Sequence, residues 1–143
     1  MLMDVVRHPG GAAVVALDKT RRVCLLRQYR AVMDEWLWEL PAGKIDNQEP
    51  PLETARRELQ EEAGVEASRW QELGLSLSSP GVFTERVWLY LAQGLRQSTQ
   101  QLEEHEILER HWLDFEEALG WAKSGKISDA KTVVGLFRAG YYL

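Results

Sequence analysis

The chain predicts an α/β fold: one domain, residues 1–143, built as an α/β/α sandwich on a mixed β-sheet. Two observations lead there. Segments of strand character lie both before and after a strongly helical stretch at 51–63, and two further helical segments close the chain. No internal repeat, low-complexity tract or Pro/Ser-rich linker divides it, and the length suffices for one sizeable core but not two.

Residues 12–17 (AAVVAL) and 23–26 (VCLL) are apolar runs of strand length, and Asp18-Lys19-Thr20-Arg21 between them predicts a hairpin. Residues 36–40 (WLWEL) form a short strand that leads through Pro41 into a loop at Gly43. Pro50 and Pro51 suit the first turn of a helix, where a missing N–H costs nothing. Every residue from Leu52 to Ala63 tolerates the helix, and Gly64 suits its C-terminal stop. Three more strands are expected at 70–78, 87–92 and 107–113. Asp114-Phe115-Glu116-Glu117 has the pattern of an N-cap with a capping-box Glu and opens a helix that stops near Gly125. Ser128 or Asp129 caps a last helix running to about Ala139.

On the central helix, Leu52, Ala55, Leu59 and Ala63 fall in one stripe at about 100° per residue, the expected core face. Glu58, Glu61 and Glu62 share the neighbouring arc at i, i+3 and i+4, and Glu53, Arg56, Arg57 and Gln60 take the remaining side. Three carboxylates crowded beside a buried face repel one another unless a cation joins them. Hard oxygen ligands of this kind suit Mg²⁺ or Mn²⁺, ions that also bind phosphate oxygens. The bland alternative is a solvated acidic face.

That alternative weakens once the flanks are included. Gly43, Glu49, Arg57, Glu58, Leu59, Glu61, Glu62, Gly64 and Val65 fill the pattern G-x₅-E-x₇-R-E-U-x-E-E-x-G-U, with U a bulky aliphatic residue. Nine fixed positions match by chance on the order of 10⁻⁷ or less. This is the Nudix box, and the chain resembles the Nudix hydrolases, which cleave nucleoside diphosphates linked to another group. The resemblance spans nearly the whole chain and implies the same α/β/α fold. It implies Glu58 and Glu62 as the main metal ligands, the carbonyl of Ala42 as another, and Glu61 as a further ligand or orienting partner. Arg57, counted with Glu58 in the catalytic set, would pair with Glu49 or Glu61 and hold the loop against the helix. An ordinary surface pair with Glu53 or Glu61 is compatible with the same spacing.

Features outside the box resemble the ADP-ribose pyrophosphatase branch. They are Arg27-Gln28-Tyr29-Arg30, Trp38-Glu39-Leu40-Pro41-Ala42-Gly43, the turn Ser79-Pro80-Gly81 with Pro80 sixteen positions past Gly64, and the tail from Gly125 to Thr132. On this resemblance Arg27, Arg30, Trp38, Glu39, Pro80, Gly81 and Glu85 are candidate substrate-binding residues. Arg27 and Arg30 are permanently charged forks suited to diphosphate oxygens, although strand alternation sets Arg27 and Tyr29 on the opposite face from Gln28 and Arg30. Trp36 and Trp38 are candidates either to stack on a base or to pack in the core, while Trp88, Trp112 and Trp121 look like core. In that branch a loop carboxylate activates the attacking water. The match places Glu104 there and Glu106 at a metal-facing position, with Glu103 one frame away and His105 a solvated neighbour. The branch also carries an N-terminal β-rich segment exchanged between dimer partners. Here Met1 to Pro9 precede the first core strand, so a homodimer would have to be built differently.

Composition narrows the partners. There are 17 Lys and Arg against 22 Asp and Glu, a net charge of −5, and no basic run, which argues against nucleic acid. The single cysteine, Cys24, is expected as a buried apolar strand residue without nucleophilic activation. The apolar run 10–17 is too short to span a bilayer and lacks the basic lead of a signal peptide, so no membrane association and a cytoplasmic location are expected. The expected activity is Mg²⁺-dependent hydrolysis of a small nucleoside diphosphate sugar, first ADP-ribose to AMP and ribose 5-phosphate. The alternatives are another sugar nucleotide, such as GDP-mannose or an ADP-sugar, or a non-catalytic ADP-ribose-binding module.

Overall fold

The central strand is apolar throughout and must be shielded on both faces. The computed structural model, which describes residues 1–104 and 106–143, meets that need with helices on either side. The elements are β1 (Gly11–Ala16), β2 (Arg22–Arg30), β3 (Glu35–Glu39), β4 (Ala42–Lys44), α1 (Pro51–Glu58) continued by a π-helical turn Leu59–Ala63, β5 (Val65–Leu77), β6 (Arg86–Gln97), β7 (Leu108–Asp114), α2 (Phe115–Ser124) and α3 (Ala130–Gly140). Strand order β4-β1-β6-β5 forms a mixed sheet, with β1 parallel to β6 and the other pairs antiparallel. Order β3-β2-β7 forms a second, antiparallel sheet.

Alternation along β1 and β2 sorts the core into two halves. Ala13, Val15, Val23 and Leu25 pack with Phe115, Ala118, Leu136 and Ala139 of α2 and α3. Ala12, Val14, Ala16, Cys24 and Leu26 pack with Ala55, Leu59 and Ala63 on the other side. Each fully buried Val, Leu or Phe in these layers contributes roughly 1.5–3 kcal/mol. Trp88 and Trp112 pack against one half and Trp121 against the other. Cys24 is fully buried, and burial pushes its thiol up to about 12, which keeps it unreactive.

Four expectations are corrected. The predicted 12–17/23–26 hairpin closes only at its turn, where the Asp18 N–H donates to the Arg22 carbonyl at 2.9 Å and Leu17 bridges Val23; beyond it β1 and β2 take their ladder partners in different sheets. Both strands are apolar on both faces, so each sits between helix layers instead of forming a one-sided ribbon. The central helix is not α-helical throughout but widens into the π turn at Leu59. A three-residue strand, β4, forms within what reads as a loop, pairing with β1 from Gly11↔Lys44 to Ala13↔Ala42. β5 and β6 also run longer than their apolar cores, with a bulge at Gly74 (φ 83°).

The helix ends follow from local chemistry. Pro51 opens α1, and Gly64 (φ 69°) closes the π turn. Asp114 accepts the Glu116 N–H to cap α2, and Gly125 (φ 87°) ends it. Asp129, not Ser128, caps α3 by accepting the Thr132 N–H. Among the described residues no helix is long and apolar enough to cross a membrane.

Candidate active site

A cleft of about 720 Å³ opens where the ends of both sheets meet α1 and the start of α3. Its acidic wall comes from α1 and the π turn. Glu58 and Glu62 are only 8% and 4% exposed, whereas the Glu61 side chain retains more solvent contact and lies outside the cleft lining. Glu62 accepts the Ala42 N–H at 2.8 Å, and Glu58 accepts from Arg57 Nη1 at 2.8 Å. Gly43 is there for space: a Cβ would sit 2.1 Å from Glu58 Oε1.

Burial is the first cause that raises the Glu58 carboxyl, to about 7; Glu61 and Glu106 add to it and Arg57 opposes. Burial likewise pushes Glu62 to about 9, with Glu58 and Glu106 adding and the Ala42 N–H and Arg30 opposing. Two buried acids that resist ionising, set beside the Ala42 backbone, are a hard-oxygen donor set of the kind Mg²⁺ or Mn²⁺ takes. Among the described residues no three acidic or imidazole side chains already converge on one point. Glu58 and Glu62 turn instead to Arg57 and to the Ala42 N–H.

Arg57 ties this wall together. It reaches Glu49 at 2.6 Å, Asp46 at 3.4 Å, Glu61 at 3.7 Å and the Lys44 carbonyl at 3.2 Å, so the 44–49 loop is drawn onto α1. The Arg57 guanidinium, helped by the Thr54 hydroxyl, holds Glu49 down to about 2.

The facing wall is basic and was less legible. Arg30 and Lys131 both line the cleft and share one carboxylate, Glu39, which is 1% exposed. Arg30 bonds it through Nε and Nη2, both at 2.7 Å, and Lys131 through Nζ at 2.9 Å. Burial alone would raise the Glu39 carboxyl, but Arg30 and Lys131 outweigh it and lower it. Thr132 sets the geometry: its hydroxyl accepts the Leu40 N–H at 3.0 Å and donates to Asp129 at 2.6 Å, docking α3 on the end of β3.

Other candidates fall elsewhere. Arg27 is exposed on the opposite face of β2, over the Trp36 ring and 3.9 Å from Glu109. Trp38 packs in the core against His111 and Trp121, because its register on β3 points it at α2. Pro80 and Gly81 are exposed and outside the lining, while Glu85 a few residues on faces the cleft. In the acidic loop Glu103 and Glu106 line the cleft and Glu104 is exposed outside it; His105 lies outside the described residues. Lys131 and His8 line the cleft although no local pattern in the sequence marks either of them. Lys131 sat inside the tail Gly125 to Thr132, and only its direction was missing. His8 carried no signal.

A family model described as the NUDIX domain matches residues 7–134. The chain is 37% identical over 135 residues to a methanol dehydrogenase activator of Bacillus methanolicus, covering 93% of this chain and 73% of that protein. It is 39% identical over 136 residues to an ADP-ribose pyrophosphatase of Mycobacterium tuberculosis, covering 93% and 66%. It is 33% identical over 141 residues to a GDP-mannose pyrophosphatase of Salmonella arizonae, covering 92% and 73%. In fold it is similar to the crystal structure of an ADP compounds hydrolase, with a TM-score of 0.81 at 23% identity, covering 95% of this chain and 74% of that one. With the box carboxylates, Arg57 and the α/β/α layers all in place, the chain belongs to the NUDIX domain family and is a Nudix hydrolase.

Proposed function

We propose that this cleft hydrolyses the diphosphate of a nucleoside diphosphate sugar, with ADP-ribose the first substrate, giving AMP and ribose 5-phosphate. The observation that carries the reading is the opposition of a buried carboxylate pair, Glu58 and Glu62, to the cations Arg30 and Lys131 across one cleft. The relatives named for ADP-ribose and GDP-mannose hydrolysis support the substrate class. Nudix pyrophosphatases are generally divalent-metal dependent, and the ion proposed here is Mg²⁺, with Mn²⁺ as substitute. Glu58, Glu62 and the Ala42 carbonyl would hold it, with Glu61 and Glu106 as further donors. When bound, it supplies charge neutralisation of the diphosphate and a lower pKa for a bound water.

The chain's own groups do the rest. Arg30 and Lys131 take diphosphate oxygens, and Arg57 keeps Glu58 and the 44–49 loop in place. Water adds to one phosphorus, the bond from that phosphorus to the bridging oxygen breaks, and the water's proton passes to a carboxylate of the 103–106 loop. Glu104 is the base assigned from the sequence; Glu103 and Glu106 are the loop carboxylates that line the cleft here.

A panel of sugar nucleotides ranked by kcat/KM tests the substrate, and ADP-ribose ranking well below GDP-mannose would transfer the assignment. Gln variants of Glu103, Glu104 and Glu106 test the base: one should lose roughly 10²–10⁴-fold in kcat with KM little changed. Three active variants would move the base to Glu61 or Glu85. Tight ADP-ribose binding with no AMP released would favour a binding module instead.

A further inference from the structure

We infer that His8 is a positioning residue that fixes the Glu85 carboxylate in the cleft. The inference rests on the proposed function only in taking Glu85 as a substrate contact. The segment before β1 is strapped to the turn that carries Glu85. Val6 donates its N–H to the Val82 carbonyl at 2.7 Å, and Thr84 donates its N–H back to the Val6 carbonyl at 2.9 Å. His8 N–H donates to Thr84 Oγ1 at 2.8 Å, and the His8 ring meets Phe83 edge-on at 5.2 Å.

This strap decides which nitrogen of His8 faces the cleft. The Gly10 N–H donates to His8 Nδ1 at 2.9 Å, so Nδ1 carries the lone pair and the ring proton sits on Nε2. Nε2 lies 3.6 Å from Glu85 Oε2, with the two side chains 14% and 23% exposed. That separation suits a dipolar attraction or a single bridging water. Gly10 itself (φ 93°) takes a backbone that L side chains rarely adopt, and a Cβ there would crowd the Arg86 carbonyl and Trp88. The turn that aims His8 is therefore set by the backbone. Glu85 follows the exposed residues 79–82 and, like Ser78, lines the cleft. His8 restricts the rotamers Glu85 would otherwise sample, and substrate binding then need not supply that ordering.

Two isosteric substitutions separate the two ring nitrogens. In His8→Asn the amide oxygen stands in for Nδ1 and keeps the Gly10 bond, but nothing reaches Glu85. In His8→Gln the longer amide reaches the Nε2 position but gives up the bond from Gly10. The assay uses whichever sugar nucleotide wild type turns over fastest, so a wrong substrate assignment shows in the wild-type panel and not here. His8→Asn should raise KM roughly three- to tenfold with kcat within about twofold, His8→Gln should recover most of the loss, and Tm should stay close to wild type. In a Glu85→Ala background, which leaves Nε2 no acceptor at that position, His8→Asn should add nothing further. The inference is overturned if His8→Asn behaves as wild type, if His8→Gln is equally impaired, or if the His8→Asn cost persists without the Glu85 carboxylate.

Discussion

Glu58 and Glu62 are acids that the fold keeps from water, and their protonation links stability to the divalent ion. Both carboxyls stand above the ordinary range when folded, at about 7 and about 9, with burial the leading cause. In the unfolded chain they titrate near the usual glutamate value of about 4.3. Stability from their protonated forms is therefore fully present below about pH 4, and is lost as pH rises through 7 and then 9. The metal-free protein should lose Tm steadily between about pH 5 and pH 9, and saturating Mg²⁺ should restore it most at the alkaline end. Thermal scans with and without EDTA check this. A metal-free Tm that stays level or climbs over that range would mean these carboxylates are already compensated by the protein.

At the level of elements, the site depends on how closely β4 approaches α1. Gly43 lets the Glu58 carboxylate lie against the strand, since an added Cβ would fall 2.1 Å from Oε1 and 2.2 Å from Cδ. Those atoms are the far end of a flexible side chain, so the carboxylate, not the backbone, will yield. Gly43→Ala should thus leave the fold nearly as stable while raising the Mg²⁺ concentration for half-activity roughly 10–100-fold, as for other changes that misplace a ligand. Titrating activity against Mg²⁺ alongside a denaturation curve separates the two effects; an unchanged Mg²⁺ requirement would take Glu58 out of the ligand set. The π turn belongs to this scale too. It keeps Glu62 buried one turn beyond Glu58, with Leu59 and Ala63 still in the core, and turns of this type recur at functional sites.

For the whole molecule, Glu39 is the joint between layers. Through Arg30 on β2 and Lys131 on α3 it connects the antiparallel sheet to the outer helix layer. Glu39→Gln leaves two cations facing each other over a neutral amide in a buried spot. Losing one partner of a buried pair costs about 3–5 kcal/mol. The Arg30 side chain is 44% exposed and Lys131 21%, so solvent screening brings the expected loss to about 1–3 kcal/mol. KM should rise as well, because both cations lose the anchor that aims them into the cleft. Urea denaturation gives the first quantity and initial rates the second. A loss under about 0.5 kcal/mol would show that Arg30 and Lys131 hold their places without it.

The local part of this protein is written in consecutive residues. Prolines at one end and Gly64 at the other bound the box helix, the period of Leu52, Ala55, Leu59 and Ala63 sets its buried face, and Arg57 with the three glutamates marks its chemistry. Helix caps at Asp114 and Asp129 and the burial of Cys24 are legible for the same reason, since each depends on neighbours within a few positions. Strand partners are not local. The runs at 12–17 and 23–26 read as a hairpin because both are apolar and a turn joins them, yet each finds its partners elsewhere along the chain. The same holds for the basic wall and the strap: Lys131 meets Glu39 across 92 positions, and His8 meets Thr84 across 76. The sequence alone determined which helix carries the acids. Tertiary structure decided which cations face them, because side-chain direction at a cleft depends on which strands pair, and pairing is settled by burial over the whole chain.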